Sequence, residues 1–448
     1  MSAEKQYIDL FNQHQDLINS NSSTVMNSVR TDAIAKFTSM GFPTSKDEVY
    51  KYTSIAKHFE ADYGLNLKRL NIPSNPHQLF SCDVPGLDVV QGYLLNDQFY
   101  LNPNGKQHDI PEGVLFGSLK ELSEQNPELI QKYYAQLADS SSDALVAFNT
   151  ALVQDGILLY IPKNTQLTTP IQLINLLRAD VDLMSNRRLL IVLEQGAQAK
   201  VLLCNHTVDS VKFLQTGVTE IFVGENANLD FYEMEETHSE TVRFNNVYVK
   251  QEANSNVLLN NMTLHNGVTR NTLETALLGE GAHIDCHGMA IADKKQHIDN
   301  TTKIDHAVPR CTSNELFKYV LDDNAVGAFT GMVLVRPDAQ HTASQQTNRN
   351  ICLTKEAKMY ARPQLEIYAD DVRCGHGATV GQLDETALFY MQARGISERE
   401  ARLLLMFAFV NEVIDTIKMD ALKDRLHTLV EKRFRGELAK CSECSICK

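Results

Sequence analysis

The runs Ile157-Leu158-Leu159-Tyr160-Ile161, Leu189-Leu190-Ile191-Val192-Leu193, Ala199-Lys200-Val201-Leu202-Leu203, Thr219-Glu220-Ile221-Phe222-Val223 and Asn246-Val247-Tyr248-Val249 set the architecture. Each is short, rich in β-branched and large apolar residues, and bounded by Gly, Asn or Asp, which is how strands are punctuated. The pattern fills the chain from about residue 157 to 380. Small-residue turns recur between the runs, at Gly196-Ala197, Asn226-Ala227, Glu252-Ala253, Gly281-Ala282, Asp338-Ala339, Glu356-Ala357 and Gly377-Ala378. The first four lie 30, 26 and 29 residues apart, and the last three lie 18 and 21 apart. A repeat of that size cannot bury its own apolar face and must stack on its neighbours. Hairpin signals are rare: Asn104-Gly105 precedes the region and His265-Asn266-Gly267 is one loop. Stacked rungs of a parallel β-helix are expected, with a jelly roll or cupin-like barrel as the second architecture.

Outward from this core the texture is helical. Ala33, Ile34 and Phe37 have helical spacing, and Gly41 is placed to end that helix. Ser45 and Glu48 have the spacing of a capping box, which predicts a second helix through Tyr50, Tyr52 and Ile55. A third is expected from Pro127 to Leu137. After the core, Asp384 can cap a helix from Glu385 to Arg394 that Gly395 ends. Ser397 and Glu400 form another box, followed by an apolar stripe of Leu404, Phe407, Ala408 and Ile414 and a last helix over about 419–435. The expected organisation is a helical region over 1–145, the β-helix over 146–383, and a helical region with a Cys-containing tail over 384–448.

The 448 residues carry a formal net charge of −14, which argues against nucleic acid or an anionic membrane as partner. The basic run Lys432-Arg433 with Arg435 reads as a solvated helix end. No apolar run approaches the ~18 residues of a membrane span, and the N-terminus lacks the apolar core of a secretory signal. Nine scattered cysteines without such a signal read as reduced thiols of a cytoplasmic protein.

Three places hold soft or titratable ligands. His283-x-x-Cys286-His287, with His297 and His306 beyond, looks like a metal site, but strand alternation sends His283 and Cys286 to opposite faces. Cys374 and His376, two apart, share a face, and the flanking Gly375 and Gly377 leave them open to another chain. A thiolate and an imidazole so placed suit iron or a sulfur species. The tail Cys441-x-x-Cys444-x-x-Cys447 offers three thiols where chains fray. Phosphate-loop, zinc-protease, nucleophile-elbow and dinucleotide motifs are absent. Asp370-Asp371 is the carboxylate pair in the late rungs that a carbohydrate-active β-helix enzyme, the alternative function, could use. A homodimeric metal-storage or chaperone protein is a third reading.

The stretch from about His283 to Phe409 resembles the SufB/SufD family of iron–sulfur cluster assembly scaffolds. The resemblance rests on His297-x-Asp299-x-x-Thr302, His306-x-x-Pro309-x-Cys311-x-Ser313, Lys318-x-Val320-Leu321, Phe329-x-Gly331, Ala339-Gln340-x-Thr342 and Gln346. The longest block runs from Pro363 through Asp370-Asp371-Val372 into Cys374-Gly375-His376-Gly377-Ala378-Thr379-Val380-Gly381. Gly41-Phe42-Pro43-Thr44 and Tyr50-Lys51-Tyr52-Thr53 fit the family's opening, with Tyr50 where Trp is usual. The form of the block from Cys374 to Asp384, and the lack of a cysteine at 357–358, place the likeness on the SufD side.

The resemblance implies a right-handed parallel β-helix between helical regions, and a scaffold rather than an enzyme. It implies pairing with a SufB-like subunit through the β-helix. It also implies a SufC-like ABC ATPase docked on the C-terminal helices, for which Leu404, Phe407 and Ala408 are the expected contacts. His376, with Cys374 beside it, becomes the residue expected to act at the interface with the SufB-like subunit, as a transient metal ligand. A nascent iron–sulfur cluster is expected at that interface, with no cofactor stably bound by the isolated chain. Whether the isolated chain forms a homodimer is left open.

Overall fold

In the computed structural model, which describes residues 3–69, 76, 84, 86–101 and 110–437, the core is a parallel β-helix of about eight turns. Successive strands alternate between two ten-stranded sheets, so neighbours within a sheet are one full rung apart. In one sheet, Gln198, Asn228, Asn256, His283, Thr312, Ala343 and Arg373 stack in register, 27 to 31 residues apart along the chain. Every pairing between rungs is parallel, which excludes the jelly roll. Among the described residues antiparallel pairs occur only at the start, where Gln98–Leu101 pairs with Val90–Leu95 and Leu115–Ser118 pairs with Ile157–Ile161.

Alternation along each strand sends every second side chain into the lumen between the sheets. Leu159, Ile191, Val201, Leu229, Val257, Ile284 and Ile304 fill much of it and belong to one buried cluster. Small residues fit the corners because the chain turns there over the rung below. Ala197, Ala227 and Ala282 are fully buried at one corner. Gly196, Asn226, Asn254, Gly281, Arg310 and His341 all hold positive φ there, which is why Gly and Asn dominate the position. Glu356-Ala357 lies at the opposite corner, between Ala343–Cys352 and Lys358–Ile367, and Gly377-Ala378 lies inside the strand Arg373–Gly381. The late shortening of the turn spacing is thus a change of corner, not of rung length.

Both helical layers dock on the outer faces of the sheets. Arg30–Met40 ends at Gly41 as expected. Ser45 and Glu48 start only the single turn Glu48–Tyr50, because the segment is drawn out across the rungs. Tyr50 bonds Asp143 and lies under Arg270 at 4.3 Å, Thr53 donates to Asp299 at 2.6 Å, and Tyr52 stacks on Tyr360 at 4.6 Å. The helix from Pro127 stops at Gln131, since the amides of Ala135, Leu137 and Ala138 donate instead to the Glu220 carboxylate. On the other sheet, Glu398–Ile414 and Asp420–Arg435 pack Met406, Val410, Val413, Leu422 and Leu426 against the strands. Asp384 and Ser397 cap as predicted. Arg433 corrects the sequence reading: it is buried, bound to the Leu264 carbonyl at 2.6 Å, Asp293 at 2.8 Å and Gln296 at 3.0 Å, and so pins the last helix to the β-helix.

The lumen also holds polar residues in its last rungs. Glu315 is wholly buried there, with Gln346 donating to it at 2.6 Å, and burial pushes its carboxyl up to about 7. The folded chain therefore binds more protons than the unfolded chain between about pH 4.5 and 7, and stability falls across that window as pH rises. The variant Glu315→Gln keeps the acceptor for Gln346 and removes the titration. It is expected to lose this pH dependence and to exceed the parent by about 3 kcal/mol at pH 8. Denaturant midpoints followed against pH check this; parallel curves for parent and variant would contradict it.

Candidate functional site

The β-helix is closed at one end and open at the other. The antiparallel strands Gln98–Leu101 and Leu115–Ser118 lie at the first rung, where Phe99 and Phe116 pack against the lumen core. At the far end, Lys358–Ile367 and Arg373–Gly381 are the outer strands of their sheets, and no described strand pairs beyond them. Their free backbone N–H and C=O groups face outward, an edge that soluble proteins normally cover. Apolar side chains gather around it: Phe389 is 72% exposed, Tyr368 62%, Tyr390 57% and Val380 52%. The helix Glu385–Ala393 buries none of its residues. An exposed apolar rim of this kind marks an interaction surface.

Cys374 and His376 stand on this last strand. Cys374 pairs in register with Ser344, and His376 with Gln346. Both partners are buried and inward-facing, so Cys374 and His376 share the inward face at the mouth of the lumen. Beneath His376 the same column continues through Gln346, Glu315 and Cys286; beneath Cys374 it continues through Ser344, Ser313 and Ile284. Cys374 is half-buried and His376 exposed. A side chain at Gly377, on the opposite face of the strand, would meet nothing within 4 Å, so the outer face of this last strand is open as well.

The other histidines do not converge. His283 points outward, 2.6 Å from Thr312 and 3.2 Å from Asp285. Cys286 points into the lumen, where burial and Glu315 push its thiol far up, which leaves it inert. His297 lies 2.9 Å from Thr53 on the outer face, and His306 faces inward against Ser313. Among the described residues no three His, Cys, Asp or Glu side chains are grouped to hold a metal ion. Asp370 and Asp371 lie in a turn, where Asp371 is 2.9 Å from His341. The tail with Cys441, Cys444 and Cys447 lies outside the described residues. On the C-terminal helices, Leu404 is 44% exposed and Ala408 is exposed, while Phe407 is half-buried against His427 at 5.4 Å. The predicted stripe therefore divides, with Ile414 in the core and Leu404 and Ala408 outside. Leu403, Leu404, Phe407 and Phe434 line a groove of about 220 Å³.

Comparison with known proteins decides the family. The model of the SUF system FeS cluster assembly SufBD core domain matches residues 176–409, and that of the SufBD protein N-terminal region matches residues 1–173. The chain belongs to the SufBD family. It is 26% identical over 430 residues to an iron–sulfur cluster assembly SufBD family protein of Synechocystis sp., covering 94% of each chain. It is 30% identical over 246 residues to the iron–sulfur cluster assembly protein SufD of Escherichia coli, 54% of this chain and 58% of that protein. With SufD of Bacillus subtilis the identity is 25% over 346 residues, 77% and 79% of the two chains. The SufBD core so matched contains the open last rung with Cys374 and His376. Of the polar residues below them, sequence reasoning quoted Ser313 and Gln346 only as carriers of the resemblance and missed Glu315 and Ser344. Strand alternation combined with the rung spacing is the signal that aligns them.

Proposed function

We propose that the chain is a SufD-type scaffold subunit of a SufBCD-type complex, without catalytic turnover of its own. One observation carries this reading: the β-helix ends in an unpaired rung whose inward face presents Cys374 and His376. An exposed strand edge is completed by adding another strand, and a SufB-like subunit with the same rung geometry supplies one. The interface would enclose the mouth of the lumen, bringing the Cys374 sulfur and the His376 imidazole to a nascent iron–sulfur cluster. Both are good iron ligands, and the cluster is cargo that the isolated chain does not keep. Alone, the chain can pair with a second copy through the same edge. A cytoplasmic location goes with this reading, since unpaired cysteines suit a reducing compartment. Co-expression with SufB-like and SufC-like partners tests the reading: a stable three-component complex supports it, and a chain that binds neither overturns it.

The SufC-like ABC ATPase would dock on the C-terminal helices, in the groove beside Leu404, Phe407 and Ala408. An apolar groove receiving an amphipathic helix is a common mode of recognition. Leu404→Asp puts a charge at the exposed centre of this surface without touching the core. ATPase affinity is expected to fall at least about tenfold, the effect of losing a central anchor, while pairing with the SufB-like subunit persists. Calorimetric titration of ATPase into the paired subunits reads this directly. Unchanged affinity would rule out this surface.

A further inference from the structure

The motif Tyr50-Lys51-Tyr52-Thr53 plays no part in the site at the open rung, yet its side chains follow one column of the β-helix. Phe244, Arg270, Asp299, Ala328 and Tyr360 are register partners in five successive rungs, and so stand above one another on the outer face of one sheet. The segment from Glu48 to Phe59 lies along that column. Phe59 stacks on Phe244 at 5.8 Å, Tyr50 lies under Arg270 and Thr53 donates to Asp299. Tyr52 stacks on Tyr360 at 4.6 Å with the ring planes 16° apart, and Glu48 pairs with Arg362 two residues further along the same strand. Beyond Phe59 the segment is anchored by Gly64 and Leu65, which pair with Leu183 and Met184 of an early rung.

The far end of this segment grips the strand that most needs holding. Lys358–Ile367 is the outer strand of its sheet, and among the described residues it pairs only with Val326–Val335. A strand with a neighbour on one side opens at little cost in free energy. Tyr360 and Arg362 are outward-facing residues of that strand, and they are the ones that Tyr52 and Glu48 meet. The N-terminal layer therefore runs from an early rung to the open end as one tie.

We propose that Tyr52 and Glu48 are positioning residues of the open rung: they brace Lys358–Ile367 from its outer face, so that a pairing subunit meets an edge already ordered. The inference rests on the reading of this edge as the pairing surface. Order present before binding does not have to be supplied out of the binding energy. The aromatic stack is the larger part of the brace, since an ion pair between solvent-exposed side chains contributes little.

The test compares the full-length parent with Tyr52→Ala and Tyr52→Phe, by hydrogen exchange of the isolated chain and by titration with a SufB-like subunit. Tyr52→Ala is expected to speed exchange across Lys358–Ile367 about fivefold, the worth of one aromatic stack. Arg373–Gly381 is the internal reference and is expected to stay unchanged, since that edge strand lies in the opposite sheet. Affinity for the SufB-like subunit is expected to fall at least about threefold, because the loosened strand must then be ordered on binding. Tyr52→Phe keeps the ring and is expected to match the parent in both measurements. Unchanged exchange in Tyr52→Ala would overturn the proposal whatever the affinity, since a ring that only touches the partner braces nothing. Equal changes in both edge strands would overturn it as the mark of a loosened chain. So would full affinity in a Tyr52→Ala chain whose strand has loosened, which strikes this inference alone. A parent that binds no SufB-like subunit overturns the pairing reading itself, and this inference with it.

Discussion

A SufBCD-type complex carrying His376→Ala is expected to assemble in full and to gain at least about tenfold less iron and sulfide than its parent, the loss typical of removing a group that supports a metal. The expectation follows from where the side chain stands. His376 is exposed, and no hydrogen bond or ion pair ties it to the rest of the chain among the described residues. Its strand is held by the backbone pairing of Arg373–Gly381 with Ala343–Cys352, which the substitution does not touch. The fold therefore loses nothing, and an effect on loading reports the imidazole itself. If the residue merely packs at the subunit seam, the variant complex dissociates instead. An intact His376→Ala complex that loads normally would remove His376 from the assembly site.

Arg188→Met is expected to lower the stability of the chain by about 3–5 kcal/mol, the cost of breaking a buried pair. Arg188 donates to Glu220 at 2.6 Å and to Thr150 at 3.1 Å, and lies over the Tyr134 ring at 4.8 Å. Both charges of the pair are completely inaccessible to solvent. Glu220 in turn accepts from the amides of Ala135, Leu137 and Ala138, so one carboxylate holds the N-terminal layer to the sheet. Removing the guanidinium leaves that carboxylate buried without a counter-charge. Adding Glu220→Gln removes the stranded charge, so the double variant is expected to be more stable than Arg188→Met alone. Equilibrium denaturation of both variants separates the terms. A loss below about 1 kcal/mol in Arg188→Met would mean that the pair contributes no more than a surface ion pair.

The rungs were legible because their strands are apolar on both faces and the corners demand small or left-handed residues. Leu189 to Leu193 and Ala199 to Leu203 announce themselves in this way, with Gly196 and Ala197 between them. The contents of the lumen were not legible. Arg187, Glu233 and Arg243 meet inside the β-helix, with Glu233 2.9 Å from Arg243 and 3.3 Å from Arg187. In the chain, each reads as an ordinary polar residue on a strand, since its partner lies on another strand or another rung. Ser45 and Glu48 failed as a helix start because tertiary contacts of Tyr50, Tyr52 and Thr53 outweighed a local cap. Cys374 and His376 were found because a spacing of two fixes a shared face on any strand. That this strand is the last one could not be read from it, since an edge strand and a central one can have the same composition.

Iron and acid-labile sulfide counted on the proposed complex of this chain with SufB-like and SufC-like subunits test the central claim most directly. The predicted result is a three-component complex carrying both elements when supplied with iron and a sulfur donor, with the Arg373–Gly381 edge protected from hydrogen exchange relative to the isolated chain. A complex that loads iron and sulfide while that edge exchanges as freely as in the isolated chain would contradict assembly at the open rung.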